Sequence, residues 1–304
     1  MGGGIVSIEV EDGCAAYKSV GGVVYSKDGS TLVAAPAALS CENDVFAVAQ
    51  GTIAVAAYAF SGIGTGDSSA ITVVLPESAC ELGEASFTCA SVAQINLPAG
   101  ISEIPRRCFS ETQLKDVTIP GTVKVIGNEA FTNSSVVNVI LESDVQSVGK
   151  CAFFNCSILA SFTLPSTVTS LHATSLANTD ELRDVTIVQG SPYSISANGC
   201  LLTDGGKTLI GTVEKDLWQS YEYVVPDGVE ALADNALCQV ESVVRLPSTV
   251  AQVGEKAIGY SCSNAASTSP IEGTVVICPS PSEGLVKYAK ANRVPSTPRR
   301  PTAR

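Results

Sequence analysis

The feature that most constrains the fold of this 304-residue chain is a period of about 22 residues. One large apolar residue recurs at intervals of 22, 22, 22 and 23, and later of 21, at Phe87, Phe109, Phe131, Phe153 and Leu176, and then at Leu237 and Ile258. A unit of this length cannot bury its own apolar row, whereas stacked copies bury it between them. The period therefore predicts a solenoid.

Each unit begins with a pattern that is typical of a short strand. Apolar residues follow L-x-x-V-x-I spacing, which points alternate side chains to the same side, and a proline often ends the run. The clearest copies place these residues at Leu114, Val117 and Ile119; at Val136, Val139 and Leu141; and at Leu159, Phe162 and Leu164. The following V-x-x-I-x-x-x-A-F spacing favours a tight, partly helical turn. We expect one strand per unit in a parallel sheet, with the phenylalanines stacked in one core.

These units resemble the BspA-type leucine-rich repeat, which reads approximately LxxIxIPxxVxxIGxxAFxxC. The resemblance is carried by LKDVTIPGTVKVIGNEAF, LPSTVTSL and RLPSTVAQVGEKAI, and extends from about Ile53 to Ile258 with one interruption. Weaker copies depart from it, since Ser86 and Cys108 replace the alanine before the aromatic residue. The resemblance implies a strand-rich leucine-rich repeat solenoid of the α/β class. Its curved parallel sheet would have one short strand per 21–23-residue repeat, with short helical or irregular convex turns.

A second kind of unit occurs twice. At an offset of 177 residues, GGVVYSKDGSTLVAAPA aligns with NGCLLTDGGKTLIGTVE. Two apolar runs joined by an Asp-Gly turn predict a β-hairpin in each copy. Hairpin insertions of this kind accompany BspA-type repeats, so the match also supports the resemblance.

The pattern changes after Ile258. SCSNAASTSP is typical of a loop, and a strand is predicted over 274–278. SEGLVKYAKANRVP then predicts a terminal helix that begins after Ser282 and buries Leu285, Tyr288 and Ala289.

These patterns divide the chain into six parts. They are an N-terminal cap with a hairpin (1–52), a repeat array (53–188), a second hairpin insertion (189–228), a continued array (229–278), a helical cap (279–294) and a disordered tail (295–304).

Charge and hydropathy exclude some classes of partner. The net charge of −12 disfavours nucleic acid, because phosphate backbones are bound by Lys and Arg. The longest apolar run, Ile53 to Phe60, is too short to span a bilayer. The N-terminal MGGGIVSIEVEDGC has neither a basic region nor a long apolar run, so we expect no secretory signal in this sequence.

Residues suited to catalysis are few. His172 is the single histidine, and the glycine-containing stretches DGGKT and SGIGTGDSS lack the context of phosphate or dinucleotide sites. The eleven cysteines form no C-x-x-C pair and fall in different registers of the repeat. We interpret most of them as small buried apolar residues rather than as a disulfide framework or a zinc site. We expect no catalytic residue, no cofactor and no metal.

The candidate site is a surface. Between the inward positions of each predicted strand lie residues that line the outer face of the sheet. They are Gln94, Asn96, Lys115, Asp116, Thr118, Asn138, Ile140, Ser161, Thr163, Arg183, Asp184 and Thr186. Repeat proteins use such faces to bind other macromolecules, although a face that is merely solvated is the competing interpretation.

The expected function is therefore non-enzymatic binding of a protein partner by a chain that is compatible with a monomer. The family resemblance implies cell-surface adhesion or interaction with host or matrix proteins. An intracellular interaction scaffold is the alternative, favoured by the unpaired cysteines and the lack of a signal sequence. A glycan-binding or glycan-acting solenoid is a minor alternative, because the carboxylates do not recur in one register.

Overall fold

The computed structural model describes residues 4–39, 41–64, 70–142, 144–213, 222–238, 240, 243–264, 267–271 and 273–295. The chain winds into a solenoid whose coils stack in parallel, as the period predicts. Each regular coil contributes two strands to two separate ladders. We call these ladders the long-strand face and the short-strand face.

The long-strand face carries the predicted strand of each repeat. Its strands are β4 (Val45–Ala47), β6 (Ile71–Val74), β8 (Val92–Ile95), β10 (Asp116–Ile119), β12 (Asn138–Leu141), β14 (Ser161–Leu164), β16 (Asp184–Ile187), β20 (Glu222–Val224), β22 (Val243–Arg245) and β26 (Val275–Ile277). They form three parallel groups, β4-β6-β8, β10-β12-β14-β16 and β20-β22-β26. Register follows the repeat, since Val117 pairs with Val139 and Val139 with Phe162.

The short-strand face was not expected from the sequence. Its two-residue strands are β5 (Ala54–Val55), β7 (Glu81–Leu82), β9 (Glu103–Ile104), β11 (Val125–Ile126), β13 (Ser147–Val148), β15 (Ser170–Leu171), β21 (Ala231–Leu232) and β23 (Gln252–Val253). They form three parallel groups, β5-β7, β9-β11-β13-β15 and β21-β23, in which Val125, for example, pairs with Ser147. The expectation of one strand per repeat is therefore corrected to two.

The turn at the phenylalanine is irregular rather than helical, which is one of the two forms expected for it. Within the described residues this corner contains no helix. The backbone N–H groups bond to the next coil, as in Phe109 N to Ala130 O at 2.8 Å and Glu129 N to Lys150 O at 2.8 Å. Bonds between residues three apart also occur within the corner, as in Thr132 N to Glu129 O at 3.1 Å. Glu129 adopts a φ of 59° and Asn133 a φ of 58°, and these left-handed residues bend the chain.

The phenylalanines form the predicted stack. The ring centroids of Phe60, Phe87, Phe109, Phe131 and Phe153 lie 4.8, 5.3, 5.3 and 5.0 Å apart in succession. All five side chains are fully buried. The column lies in one apolar cluster, and a second cluster continues the core to Val294.

Both predicted hairpins are present. In the first, β2 (Val23–Ser26) pairs antiparallel with β3 (Thr31–Ala34), and β1 (Tyr17–Val20) adds a third strand. In the second, β18 (Cys200–Thr203) pairs with β19 (Thr208–Thr212), and β17 (Ser194–Ile195) is the added strand. Single turns of 3-10 helix occur at Glu42–Asp44 and Asp204–Gly206.

A third hairpin replaces the loop predicted after Ile258. Its strands, β24 (Tyr260–Asn264) and β25 (Ser267–Pro270), pair antiparallel. The serine-rich and alanine-rich composition resembles that of a loop, because the strands of this hairpin have no alternating apolar residues.

The C-terminal helix closes the array as predicted. Helix α1 (Glu283–Ala291) begins after Ser282, whose hydroxyl accepts from Leu285 N at 3.2 Å. Leu285, Tyr288 and Ala289 are buried. The Tyr288 hydroxyl accepts from Ile258 N and donates to Ile258 O, both at 2.9 Å, so the helix is tied to the last aromatic-position residue.

The six-part division drawn from the sequence remains our proposal for this solenoid. Of its disordered tail, residues 296–304 lie outside the described residues, as do residues 65–69 of the glycine-containing stretch SGIGTGDSS.

Candidate functional site

The predicted binding residues lie on the long-strand face or directly beside its strands. Ser161 and Thr163 are half-buried, and the others are exposed: Gln94, Asn96, Lys115, Asp116, Thr118, Asn138, Ile140, Arg183, Asp184 and Thr186. Those within the strands share one face because the alternate residues, such as Val117 and Val139, are buried in the core. Lys115 and Arg183 lie just before β10 and β16, and Asn96 lies just after β8.

The structure brings four of them into one row. Asp116, Asn138, Ser161 and Asp184 are direct partners across successive strands. Asn138 Nδ2 donates to Asp116 Oδ1 at 2.7 Å, and Ser161 Oγ donates to Asn138 Oδ1 at 2.8 Å. We call these four residues the polar row. Hydrogen bonds order its side chains before any ligand arrives.

A second row runs beside the first. Thr118, Ile140, Thr163 and Thr186 are cross-strand partners along the same strands. Ile140 is 52% exposed and breaks a line of hydroxyl-bearing side chains. The face thus combines hydrogen-bonding groups with one prominent apolar side chain.

The ladder of this face is interrupted between β8 and β10. Within each of the three groups neighbouring strands are joined by backbone hydrogen bonds, as Asn138 N is to Lys115 O at 3.3 Å. Among the described residues no hydrogen bond of this kind joins β8 to β10. A shallow cavity of about 410 Å³ lies over the interruption, lined by Thr72, Val74, Gln94, Lys115 and Asp116 among others. We call this cavity the ladder gap.

Asn96 has a structural role within this site. Its Oδ1 accepts from Leu75 N at 2.6 Å, and its Nδ2 donates to Leu75 O at 2.9 Å. The amide therefore continues the pairing of β6 with the chain after β8. The side chain of Asn96 thus occupies the N–H and C=O groups of Leu75, which a binding partner could otherwise bond.

Sequence reasoning missed Thr72 and Val74 at the ladder gap. Their repeat is five residues longer than the next, so the regular spacing did not place a strand there. The alternation of Ile71, Val73 and Leu75 before Pro76 is a strand signal that would have found them.

Lys115 supplies the positive charge of the ladder gap. Its side chain is exposed and makes no ion pair with another described residue. Asp116, beside it, is held by Asn138. The gap therefore presents a cation, a carboxylate and the amide of Gln94 around unpaired strand edges.

The single histidine lies in a hydrogen-bonded group away from this face. Thr174 Oγ1 is 3.0 Å from His172 Nδ1 and accepts from Cys151 Sγ at 3.4 Å. Burial lowers the pKa of His172 and raises that of Cys151. Both shifts favour the neutral forms, so the group resembles a buried link between coils more than an activated nucleophile.

The described cysteines are mostly thiols, as expected, but fewer of them are buried than the sequence interpretation held. Nine of those described are thiols, and four of the nine are buried. Burial raises the pKa of Cys108 and of Cys156 to about 12. Cys238, in contrast, is disulfide-bonded. No group of His, Cys, Asp or Glu that could hold a metal occurs in the part of the chain described.

The described part of the chain includes no helix of the length and hydropathy needed to cross a membrane.

A comparison with family models finds one match. A model described as a BspA type leucine rich repeat region matches residues 41–138 and 124–198, with six copies, and so covers more than half of the chain. Among curated proteins no match is found.

Solved structures with the same fold come from bacteria. The pneumococcal vaccine antigen PcpA is 19% identical with a TM-score of 0.63, and the match covers 92% of this chain and 72% of that one. A leucine rich cell surface protein from Faecalibacterium prausnitzii is 19% identical with a TM-score of 0.50, over 81% of this chain and 72% of that one. At such identities the similarity shows the fold.

Proposed function

Since the chain belongs to the BspA-type leucine-rich repeat family, we propose that its long-strand face binds another protein and that the chain itself is not an enzyme. The proposed setting is a cell surface, where the bound partner is a protein of a host, a matrix or another cell.

The ladder gap is the observation that carries this proposal. Strand edges that lack ladder partners can bond the main chain of an extended peptide, in the manner of strand addition. Gln94, Lys115 and Asp116 surround these edges with a donor amide, a cation and a carboxylate. Such a mixture suits a polypeptide, which presents amides and side chains of both charges.

The two rows extend the contact beyond the gap. The polar row is already ordered by hydrogen bonds of 2.7 and 2.8 Å, so binding loses little side-chain entropy there. Ile140 supplies an exposed apolar contact beside it. The face as a whole therefore offers both specificity and apolar area.

The cell-surface setting is supported by the solved structures of the same fold. One is described as a vaccine antigen and another as a cell surface protein. The disulfide of Cys238 suits an oxidising compartment.

An intracellular scaffold is the second candidate, and the thiols favour it. Nine of the cysteines that the structure describes are thiols, as is usual in a reducing compartment. Localisation of the endogenous protein distinguishes the two settings, because a protein retained in the cytosol excludes adhesion.

Binding to purified fibronectin, laminin and collagen, measured by biolayer interferometry, tests the proposed face. Ile140→Arg and Lys115→Ala are each expected to weaken binding by about tenfold or more, equal to about 1.4 kcal/mol. Thr169→Arg, an exposed change beside the short strand β15, is the matched control and should bind like the unaltered protein. Equal weakening by the control, or no binding to any of the three proteins, counts against a matrix-binding face.

A further inference from the structure

The charge of this acidic chain is divided unevenly along its length. Residues 279–304 contain six of the 18 Lys and Arg and one of the 30 Asp and Glu. Their net charge is therefore +5, whereas residues 1–278 have a net charge of −17. The described residues 279–295 contain Lys287, Lys290 and Arg293 against Glu283, a net charge of +2. We call this end of the described solenoid the basic pole.

An apolar groove lies at this basic pole. A cavity of about 560 Å³ lies along the edge strand β26 and helix α1, which pack in one apolar cluster, and is lined by Val276, Leu285, Val286, Ala289 and Val294, with Lys290 and Arg293. Val286 remains 37% exposed. We call this cavity the terminal groove.

The cations of the terminal groove are not neutralised from within the described chain. Lys290 and Arg293 are exposed, and neither forms an ion pair with a described residue. An occupant that matches the groove must bring both apolar side chains and carboxylates. The sequence after residue 295, with Arg299, Arg300 and Arg304, has the same sign as the groove and does not match it.

The opposite end of the solenoid has this combination. Ile5 and Val6 are 64% and 67% exposed. Glu9, Glu11 and Asp12 follow within the same segment and are also exposed. Ile8 N donates to Gly22 O at 2.9 Å, which holds the segment against the N-terminal hairpin. We call residues 4–12 the acidic head.

We propose that copies of this chain associate head to tail, with the acidic head of one copy bound in the terminal groove of the next. Ile5 and Val6 fill the apolar groove, while Glu9 and Glu11 approach Lys290 and Arg293. Because the two surfaces differ and lie at opposite ends, each copy can bind one neighbour at each end, which produces open rows. This differs from the monomer with which the sequence is compatible.

Sedimentation velocity of the full chain over a wide concentration range tests the proposal. The weight-average sedimentation coefficient should rise with concentration beyond that of a dimer, and less so at high salt, because exposed charges are screened. Lys290→Glu with Arg293→Glu should weaken association about tenfold or more. Glu9→Lys with Glu11→Lys should do the same.

Two further variants make the test specific. The chain with all four reversals should associate again, because attraction is restored with opposite signs. Lys287→Glu, an exposed change on the same helix outside the groove lining, should associate like the unaltered chain. Circular dichroism of every variant confirms that the solenoid is folded.

Several results would overturn the proposal. A monomer at every concentration, equal weakening by Lys287→Glu, or no recovery in the four-reversal chain each contradicts it. Binding to heparin that depends on Lys290 and Arg293, without self-association, identifies an anionic polymer as the occupant instead.

Discussion

Glycine recurs four residues before the aromatic position for a steric reason. A Cβ on Gly127 would lie 2.8 Å from Arg106 N and 2.9 Å from Ile104 O, which is closer than real contacts allow. His172 occupies the corresponding place one coil after Gly149. This coil therefore holds an imidazole where the coils of Phe87, Phe131 and Phe153 have glycine, as the coil of Phe109 holds Pro105.

The pH dependence of stability should report on His172. Thr174 N donates to Nδ1 at 3.2 Å, which requires an unprotonated acceptor, and burial lowers the pKa below the ordinary 6.5. Between the lowered pKa and 6.5 the unfolded chain binds more protons than the folded chain, so the free energy of unfolding falls as the pH decreases through this range. Urea denaturation at a series of pH values measures this loss.

His172→Gln is the matched variant, because its amide oxygen can still accept from Thr174 but does not titrate. The variant should lose less stability than the unaltered chain over the same range. Identical pH profiles for the two proteins would show that His172 is solvated and not coupled to folding.

The aromatic column is the element that joins successive coils. Phe131 is fully buried between Phe109 at 5.3 Å and Phe153 at 5.0 Å. Phe131→Ala should lower the free energy of unfolding by about 3–5 kcal/mol, because it removes the ring and leaves a cavity between two others. Equilibrium denaturation in urea provides the measurement.

Tyr58→Ala is the control for this change, since Tyr58 is an aromatic residue at the equivalent corner, two residues before Phe60, but is 59% exposed. Its effect should stay within about 0.5 kcal/mol. A loss of less than about 1 kcal/mol for Phe131→Ala would contradict a packed column.

Elements whose buried apolar residues recur in every coil could be predicted from sequence, and elements without such a pattern could not. Val117, Ile119 and Phe131 mark the strand and the column because burial repeats at every coil. Two-residue strands such as Val125–Ile126 are too short to show alternation. The hairpin β24–β25 has a loop-like composition, so only the fold reveals its pairing.

The candidate face was predictable in outline for the same reason. Outer positions follow from inner ones by alternation, which places Asp116 and Asn138 correctly. The ladder gap was not predictable, because it depends on a strand pair that fails to form. The backbone bonds of Asn96 depend on a residue in the preceding coil and have no local signal.

At the scale of the whole molecule, the cysteines differ in burial, so their reactivity measures how closely the coils stay packed. Cys108 and Cys156 are fully buried in the first apolar cluster, while Cys14 and Cys89 are partly exposed. Hydrogen bonds from the backbone of Tyr17 lower the pKa of Cys14, whereas burial raises the pKa of Cys108 to about 12. Reactivity with a thiol reagent should therefore differ widely between these sites.

Thiol labelling followed by peptide mapping tests this expectation. In the native state at neutral pH, Cys14 should react first, because more of it is thiolate and it is accessible. Cys108 and Cys156 should react only as fast as the solenoid opens, since their thiolates cannot form inside the apolar core. In denaturant without a reductant, nine thiols should react, and all eleven should react after reduction. Rapid native labelling of Cys108 would show that the coils separate locally, and eleven thiols before reduction would exclude the disulfide of Cys238.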